Sequence, residues 1–186
     1  MIRLLALVLI AMSLAGCARQ GIQPQASELT EHWSFSGRMA IRSDSEASSF
    51  TVDWQQKAAA FDIYLSGPLG QGAVNIEGQP GLVTLTRGRE VWQASSLTEL
   101  GYQVSDLELP LDYLQYWVRA RPAPYSDASI AVDDGSGLIM AIQQAGWAVN
   151  YTSYFGEGGD ALPQRIDFAR EHSSGRLVIR NWVAEL

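Results

Sequence analysis

The feature that most limits what this chain can fold into is a two-residue rhythm of apolar and polar side chains, renewed in one short segment after another. Trp33, Phe35, Gly37, Met39 and Ile41 share one parity, and Ser34, Ser36, Arg38, Ala40 and Arg42 the other. Successive side chains of a strand point to opposite faces, so this spacing specifies a strand with one face buried. Phe50, Val52 and Trp54 alternate with Thr51, Asp53 and Gln55, and Phe61, Ile63 and Leu65 repeat the pattern. Residues 73–77, 82–87 and 90–94 continue it, with Gly78-Gln79-Pro80-Gly81 and Gly88 as turns. The rhythm returns after the polar residues 133–137. Leu138, Met140 and Ile142 form one strand and Trp147, Val149 and Tyr151 the next, followed by residues 165–170 and 176–185.

Between the two runs the period changes. Ser95 or Ser96 can cap a short helix over residues 97–102. Pro110 suits the first turn of a second, in which Leu111, Leu114, Trp117 and Val118 make an apolar stripe before Pro122 and Pro124 end it. The fold class is mainly β, an antiparallel sheet of about ten to eleven strands with a short helical insertion. A sheet of that size curls or closes, and the helices then belong inside the curl or across its mouth.

The amino terminus carries a separate instruction. Arg3 is followed by the apolar run LLALVLIAMSL, too short to span a bilayer, and then by Leu14-Ala15-Gly16-Cys17. LAGC resembles the bacterial lipobox, in which the cysteine becomes the acylated first residue. Cys17 is the sole cysteine, so the mature domain has no internal disulfide. Three acyl chains would hold the protein to a membrane, since two already give stable anchoring. In the lipoprotein families this resembles, an aspartate after the cysteine signals retention in the inner membrane, so Ala18 implies the periplasmic face of the outer membrane. The expected organisation is a signal peptide over 1–16, a lipid-anchored tether over 17–31 (polar, aperiodic, with Gly21 and Pro24) and one domain over 32–186.

Composition excludes more than it selects. The net charge is −7, and all but Lys57 of the 13 basic residues are arginine, without a basic run. Nucleic acid is not an expected partner. His32 and His172 have no metal-ligand spacing, and no GxSxG elbow exists. The glycine-rich residues 155–159 lack the strand-to-helix context of a phosphate loop. Asp53, Asp62, Glu77, Asp112 and Asp167 could supply a carboxylate pair, but alternation puts Asp53 and Asp62 on a wet face. No enzyme and no cofactor are expected. The surplus is aromatic, with 6 Trp, 7 Tyr and 5 Phe. Most of these serve a core, and a curled sheet can also leave a void for apolar ligands.

Five stretches in order strengthen this reading: WSFSGRMAI, TVDWQQ, IYLSGPLGQGAVNI, LPLDYLQYWVRARP and the terminal Asn181-Trp182. Behind a lipobox, they resemble the LolB family of outer-membrane lipoprotein receptors. The resemblance implies an incomplete antiparallel barrel whose helices lid a hydrophobic cavity. It implies receipt of triacylated lipoproteins from the periplasmic carrier LolA, insertion into the outer membrane, and a monomer working without cofactor. Cys17 would be the lipid attachment site, and Pro68, Leu69 and Gly70 a membrane-insertion loop led by the leucine. The cavity would draw on Phe35, Met39, Val52, Trp54, Ile63, Leu65, Leu114, Trp117, Met140, Trp147 and Tyr151, each of which could equally pack the core. The family's docking face is expected to be basic. This acidic chain offers only Arg38, Arg42, Arg87, Arg89, Arg119 and Arg121 toward one. The alternative is another anchored lipid- or lipopolysaccharide-binding factor of envelope assembly.

Overall fold

The computed structural model describes residues 32–44, 46–104, 110–158 and 161–184. The signal peptide, Cys17 and the tether lie outside the described residues. One 11-stranded antiparallel sheet organises the rest. Its strands are β1 (His32–Arg42), β2 (Ala47–Lys57), β3 (Ala60–Ser66), β4 (Val74–Gln79), β5 (Leu82–Arg87), β6 (Glu90–Ala94), β7 (Ala128–Val132), β8 (Ile139–Gln144), β9 (Trp147–Phe155), β10 (Leu162–Arg170) and β11 (Ser173–Ala184). Helices α1 (Leu97–Val104) and α2 (Leu111–Trp117) fall between β6 and β7. The spatial order is β6-β5-β4-β3-β2-β1-β11-β10-β9-β8-β7. The first and last strands pair at the centre, and the two free edges are the strands that flank the helical insertion. The sheet therefore ends where the helices begin.

Alternation sets the buried face as the sequence requires. Trp33, Phe35, Met39, Ile41, Val52, Trp54 and Ile63 are all buried. Gly37 has a specific task at the central seam. The β1–β11 register shifts between Ser36 and Gly37, and a Cβ at residue 37 would lie 2.6 Å from the Val178 carbonyl oxygen. Gly78 and Gly175 leave room for the rings of Phe61 and Phe168 on neighbouring strands.

The helices are held by polar contacts at their ends. Three of the four amides that a helix N-terminus leaves unpaired are satisfied in α1. The Ser96 hydroxyl accepts from Glu99 N at 3.1 Å, and the Asp112 carboxylate of α2 accepts from Leu97 N at 3.2 Å and Thr98 N at 3.0 Å. The Glu99 carboxylate accepts in turn from the Ser95 hydroxyl and amide, which hold it below the usual carboxylate range. Asp112 thus joins the helices. In α2, Leu114 and Trp117 are buried on the sheet. The Trp117 indole donates to Gln144 Oε1 at 2.9 Å, and the Tyr151 hydroxyl donates to the Trp117 carbonyl at 2.8 Å. Burial pushes the Tyr151 hydroxyl pKa up, keeping it a donor. Gln144 is 3% exposed; it also accepts from Ala123 N and donates to the Ala123 and Ser126 carbonyls.

Two expectations need correction. Residues 128–132 form β7, so residues 133–137 are a hairpin turn inside the sheet. The strand was hidden because all five positions are exposed, leaving no buried parity to read. Met140 is 47% exposed and points away from the interior. Ala131 pairs with Ala141 but Val132 with Ile139, so Met140 occupies a bulge. The extra residue inverts the alternation, and Ile139 takes the inward place beside Ile142.

Gln144→Leu removes four hydrogen bonds from the helix connection while keeping side-chain size. With buried donors orphaned at 1–3 kcal/mol each, a loss of about 3 kcal/mol is expected, lowering Tm by roughly 6–12 °C in a thermal melt. A melt within a degree of the wild type would contradict the anchoring role.

Candidate functional site

The inner face of the sheet and the undersides of the helices do not meet everywhere. A cavity of about 930 Å³ opens where the β3–β4 loop and the β1–β2 turn stand, near the upper end of the roughly 300–1,000 Å³ typical of ligand pockets. Its apolar wall comes from Ile41, Phe50, Leu65, Val74, Ile76 and Leu85 of the sheet and Leu97, Leu100 and Leu111 of the helices. Its rim is polar, with Glu46, Ser48, Ser66, Gln71 and Arg87. Below it lies a void of about 50 Å³ lined solely by Met39, Phe50, Val52, Trp54, Ile63, Leu65, Ile76, Leu111 and Leu114. Phe50, Leu65, Ile76 and Leu111 border both spaces, so these side chains form the partition between them. Hollows of about 830 Å³ and 800 Å³ elsewhere have many charged and polar side chains in their walls, including Arg42, Asp167 and Arg176 in one and Asp112, Arg119 and Arg121 in the other.

The rim is also the neck of the Leu69 loop. Residues 68–70 make a single 3₁₀ turn between β3 and β4. Gly67 N donates to the Gln71 carbonyl at 2.9 Å and Gly70 N to the Gly67 carbonyl at 3.1 Å, closing the loop on itself. A Cβ at residue 67 would lie 2.9 Å from that Gln71 oxygen, so the neck favours glycine. Leu69 at the tip is 98% exposed and sits at φ 60°. A non-glycine residue held in that region costs on the order of 1–3 kcal/mol. An apolar side chain is thus presented to solvent by a closed and strained turn, beside the cavity mouth.

The structure divides the eleven expected cavity residues into four groups. Met39, Val52, Trp54, Ile63, Leu65 and Leu114 line the deeper void, and Leu65 reaches the outer cavity too. Phe35 lies in an aromatic cluster with Trp33, Trp54 and Trp182, with ring centroids 5.1–6.1 Å apart. Trp117, Trp147 and Tyr151 are buried against the β8–β9 half of the sheet and line neither space. Met140 is on the outside. The apolar lining residues not anticipated are Ile41, Phe50, Val74, Ile76, Leu85, Leu97, Leu100 and Leu111. Their signal was present: Phe50 has inward parity, Leu97 and Leu100 are three apart on a helix, and Leu111 opens the α2 stripe.

The carboxylates are dispersed. Asp53, Asp62 and Glu77 are exposed, Asp112 caps α1, and Asp167 pairs with Arg176. Among the described residues no cluster of three metal-ligating side chains occurs. The arginines do not gather either. Arg87 stands at the Leu69 end, while Arg119 and Arg121 line the 800 Å³ hollow beside Trp33 and the β2–β3 turn, at the other end of the sheet. Burial and the field of Arg121 lower the Arg119 pKa.

The family described as outer membrane lipoprotein LolB matches residues 31–182. The chain belongs to the LolB family. It is 38% identical to the outer-membrane lipoprotein LolB of Cellvibrio japonicus over 98% of both chains. It is 35% identical to the LolB of Halorhodospira halophila, over 97% of this chain and 94% of that one. Solved structures share the fold at lower identity. A LolA superfamily protein from Nitrosomonas europaea superposes with a TM-score of 0.55 at 12% identity, covering 87% of this chain and 90% of the other. A DUF1329 family protein from Desulfovibrio piger gives 0.55 at 10% identity, covering 84% and 87%. Like its LolB relatives, the protein is an outer-membrane lipoprotein.

If the outer cavity takes an acyl chain, Leu111→Arg at the partition should weaken binding of dansyl-undecanoic acid about tenfold or more, the effect of 1.4 kcal/mol. Trp147→Phe, away from both spaces, should leave affinity within twofold. Fluorescence titration of both variants checks this, and equal losses would move the acyl site elsewhere.

Proposed function

We propose that this protein accepts acylated lipoproteins from the periplasmic carrier LolA and inserts them into the outer membrane, to which its own acylated Cys17 ties it. The observation that carries this reading is the adjacency of the apolar cavity and the loop presenting Leu69, which share Ser66, Gly67, Pro68, Gln71 and Gly72. A cavity of this kind can cover acyl chains in water. An exposed leucine has nothing to gain in solution, but burying one in lipid is worth about 1.5–3 kcal/mol.

The step is binding and release. Acyl chains pass to whichever environment covers them best, and each 1.4 kcal/mol shifts the partition about tenfold. The bilayer is the deepest well. The Leu69 tip sets the cavity mouth at the lipid surface, so a chain leaving the cavity meets lipid before water. The polar rim keeps the mouth itself out of the hydrocarbon. The tether over 17–31 lets the domain meet the carrier while remaining anchored, and the protein works as a monomer without a cofactor.

Leu69→Glu tests the reading. The side chain is fully exposed, so the fold is expected to melt unchanged. In an assay with LolA-loaded lipoprotein and outer-membrane vesicles, insertion is expected to fall at least tenfold, with cargo left on the protein or in solution. Undiminished insertion by the variant would favour a different lipid-binding role in envelope assembly.

A further inference from the structure

An open sheet has two edges, and each carries a row of unpaired backbone donors and acceptors that invites another strand. Here the two are treated differently. The β6 edge is guarded by charge: Arg89 and Glu90 stand at its start, and the Arg87 guanidinium lies 5.5 Å over the Trp92 ring. The β7 edge carries no charge within the strand itself. All five residues Ala128–Val132 are exposed, with Ile130 at 44% and Val132 at 51%. Among the described residues β7 pairs with β8 alone. Ile130 stands opposite buried Ile142, and Val132 opposite Ile139, so both apolar side chains share the concave face yet remain uncovered. The sequence Ala-Ser-Ile-Ala-Val contains neither charge nor proline.

The charges sit at the ends instead. Asp127 precedes the strand, and Asp133 and Asp134 follow it. The Ser136 and Gly135 amides donate to the Asp133 carboxylate and hold it ionised. A second copy pairing antiparallel about Ile130 would set Asp127 of each chain against Asp133 of the other. Like charges directly opposite across a strand pair are destabilising. The edge is therefore closed to itself and complementary to a strand with basic ends.

We propose that β7 is a strand-addition site for an extended polypeptide segment with apolar residues at alternate positions and basic residues at both ends. Such a segment joins as the twelfth strand of an 11-stranded sheet. Main-chain hydrogen bonds provide affinity, and Ile130 and Val132 provide the contact that selects alternate apolar residues. The site is separate from the cavity, whose sheet wall comes from the β1–β5 side, and it does not depend on the acyl-binding reading.

The test uses two fluorescein-labelled peptides with one Thr-Val-Thr-Ile-Thr-Val core, one flanked by lysines and the other by glutamates. Anisotropy at low salt should show saturable binding of the lysine-flanked peptide at least tenfold tighter than the other, with slowed amide exchange over Ala128–Val132. Asp127→Lys with Asp134→Lys should invert the preference, and Ile130→Lys with Val132→Lys should abolish binding, while both variants keep the wild-type thermal melt as a check on folding. Equal affinity for the two peptides, no binding of either, protection at a different strand, or dimerisation of the protein through β7 would each overturn the proposal.

Discussion

Helix α2 touches the two halves of the curled sheet at once, and the cavity depends on that. Leu114 packs toward β1–β4, beside Met39, Val52, Trp54 and Ile63. Trp117, one turn on, packs toward β8 and β9, donating to Gln144 and lying 6.5 Å from the Trp147 ring. A seven-residue helix cannot hold its own shape in water. It is ordered because its apolar stripe is buried, its Asp112 carboxylate accepts from the Leu97 and Thr98 amides of α1, and its last residue, Trp117, is bound through the indole by Gln144 and through the carbonyl by Tyr151. The return is a strut: with α2 in place, the sheet can neither flatten nor collapse onto the space beneath the helices.

That strut turns a sheet into a receptacle. Between α1, α2 and β1–β5 the side chains stop short of filling the interior, and the outer cavity and deeper void result. The partition of Phe50, Leu65, Ile76 and Leu111 is made of side chains alone, so rotamer changes there can extend the space a ligand enters without moving a strand. At the mouth, a strained turn spends stability to hold Leu69 outward. Strain of this kind persists only where the surroundings enforce it, and here Pro68 and the closed Gly67–Gln71 neck do so.

Much of this was legible in the sequence for a physical reason. Period-two alternation exists because one strand face is buried, so the strands most deeply engaged, β1 to β3 and β9, announced themselves. Leu69 was singled out by the family resemblance and not by its neighbours, since a loop leucine more often folds back onto the core; its exposure is a property of the closed turn. The losses have the same origin. β7 buries nothing, and so left no pattern. The bulge at Met140 reversed a parity that alternation assumes continuous. Nor can parity separate inward residues that line a void from those that fill a core: Phe35 and Trp147 share the parity of cavity residues but meet rings. Which half of the interior stays open is decided by where the helices land, a tertiary property.

The most direct measurement is photocrosslinking along the acyl chain. A lipoprotein carrying a fatty acid with a diazirine at its carboxyl end, its middle or its terminus would be bound to the protein, irradiated, and its adducts mapped by mass spectrometry. The carboxyl-end probe is expected to label the rim at residues 66–72, the middle probe Phe50, Leu65 or Leu111, and the terminal probe the deeper side chains Met39, Ile63 or Leu114. Adducts confined to the Trp117–Trp147–Tyr151 half, or to the outer face of the sheet, would contradict an acyl site beneath the helices.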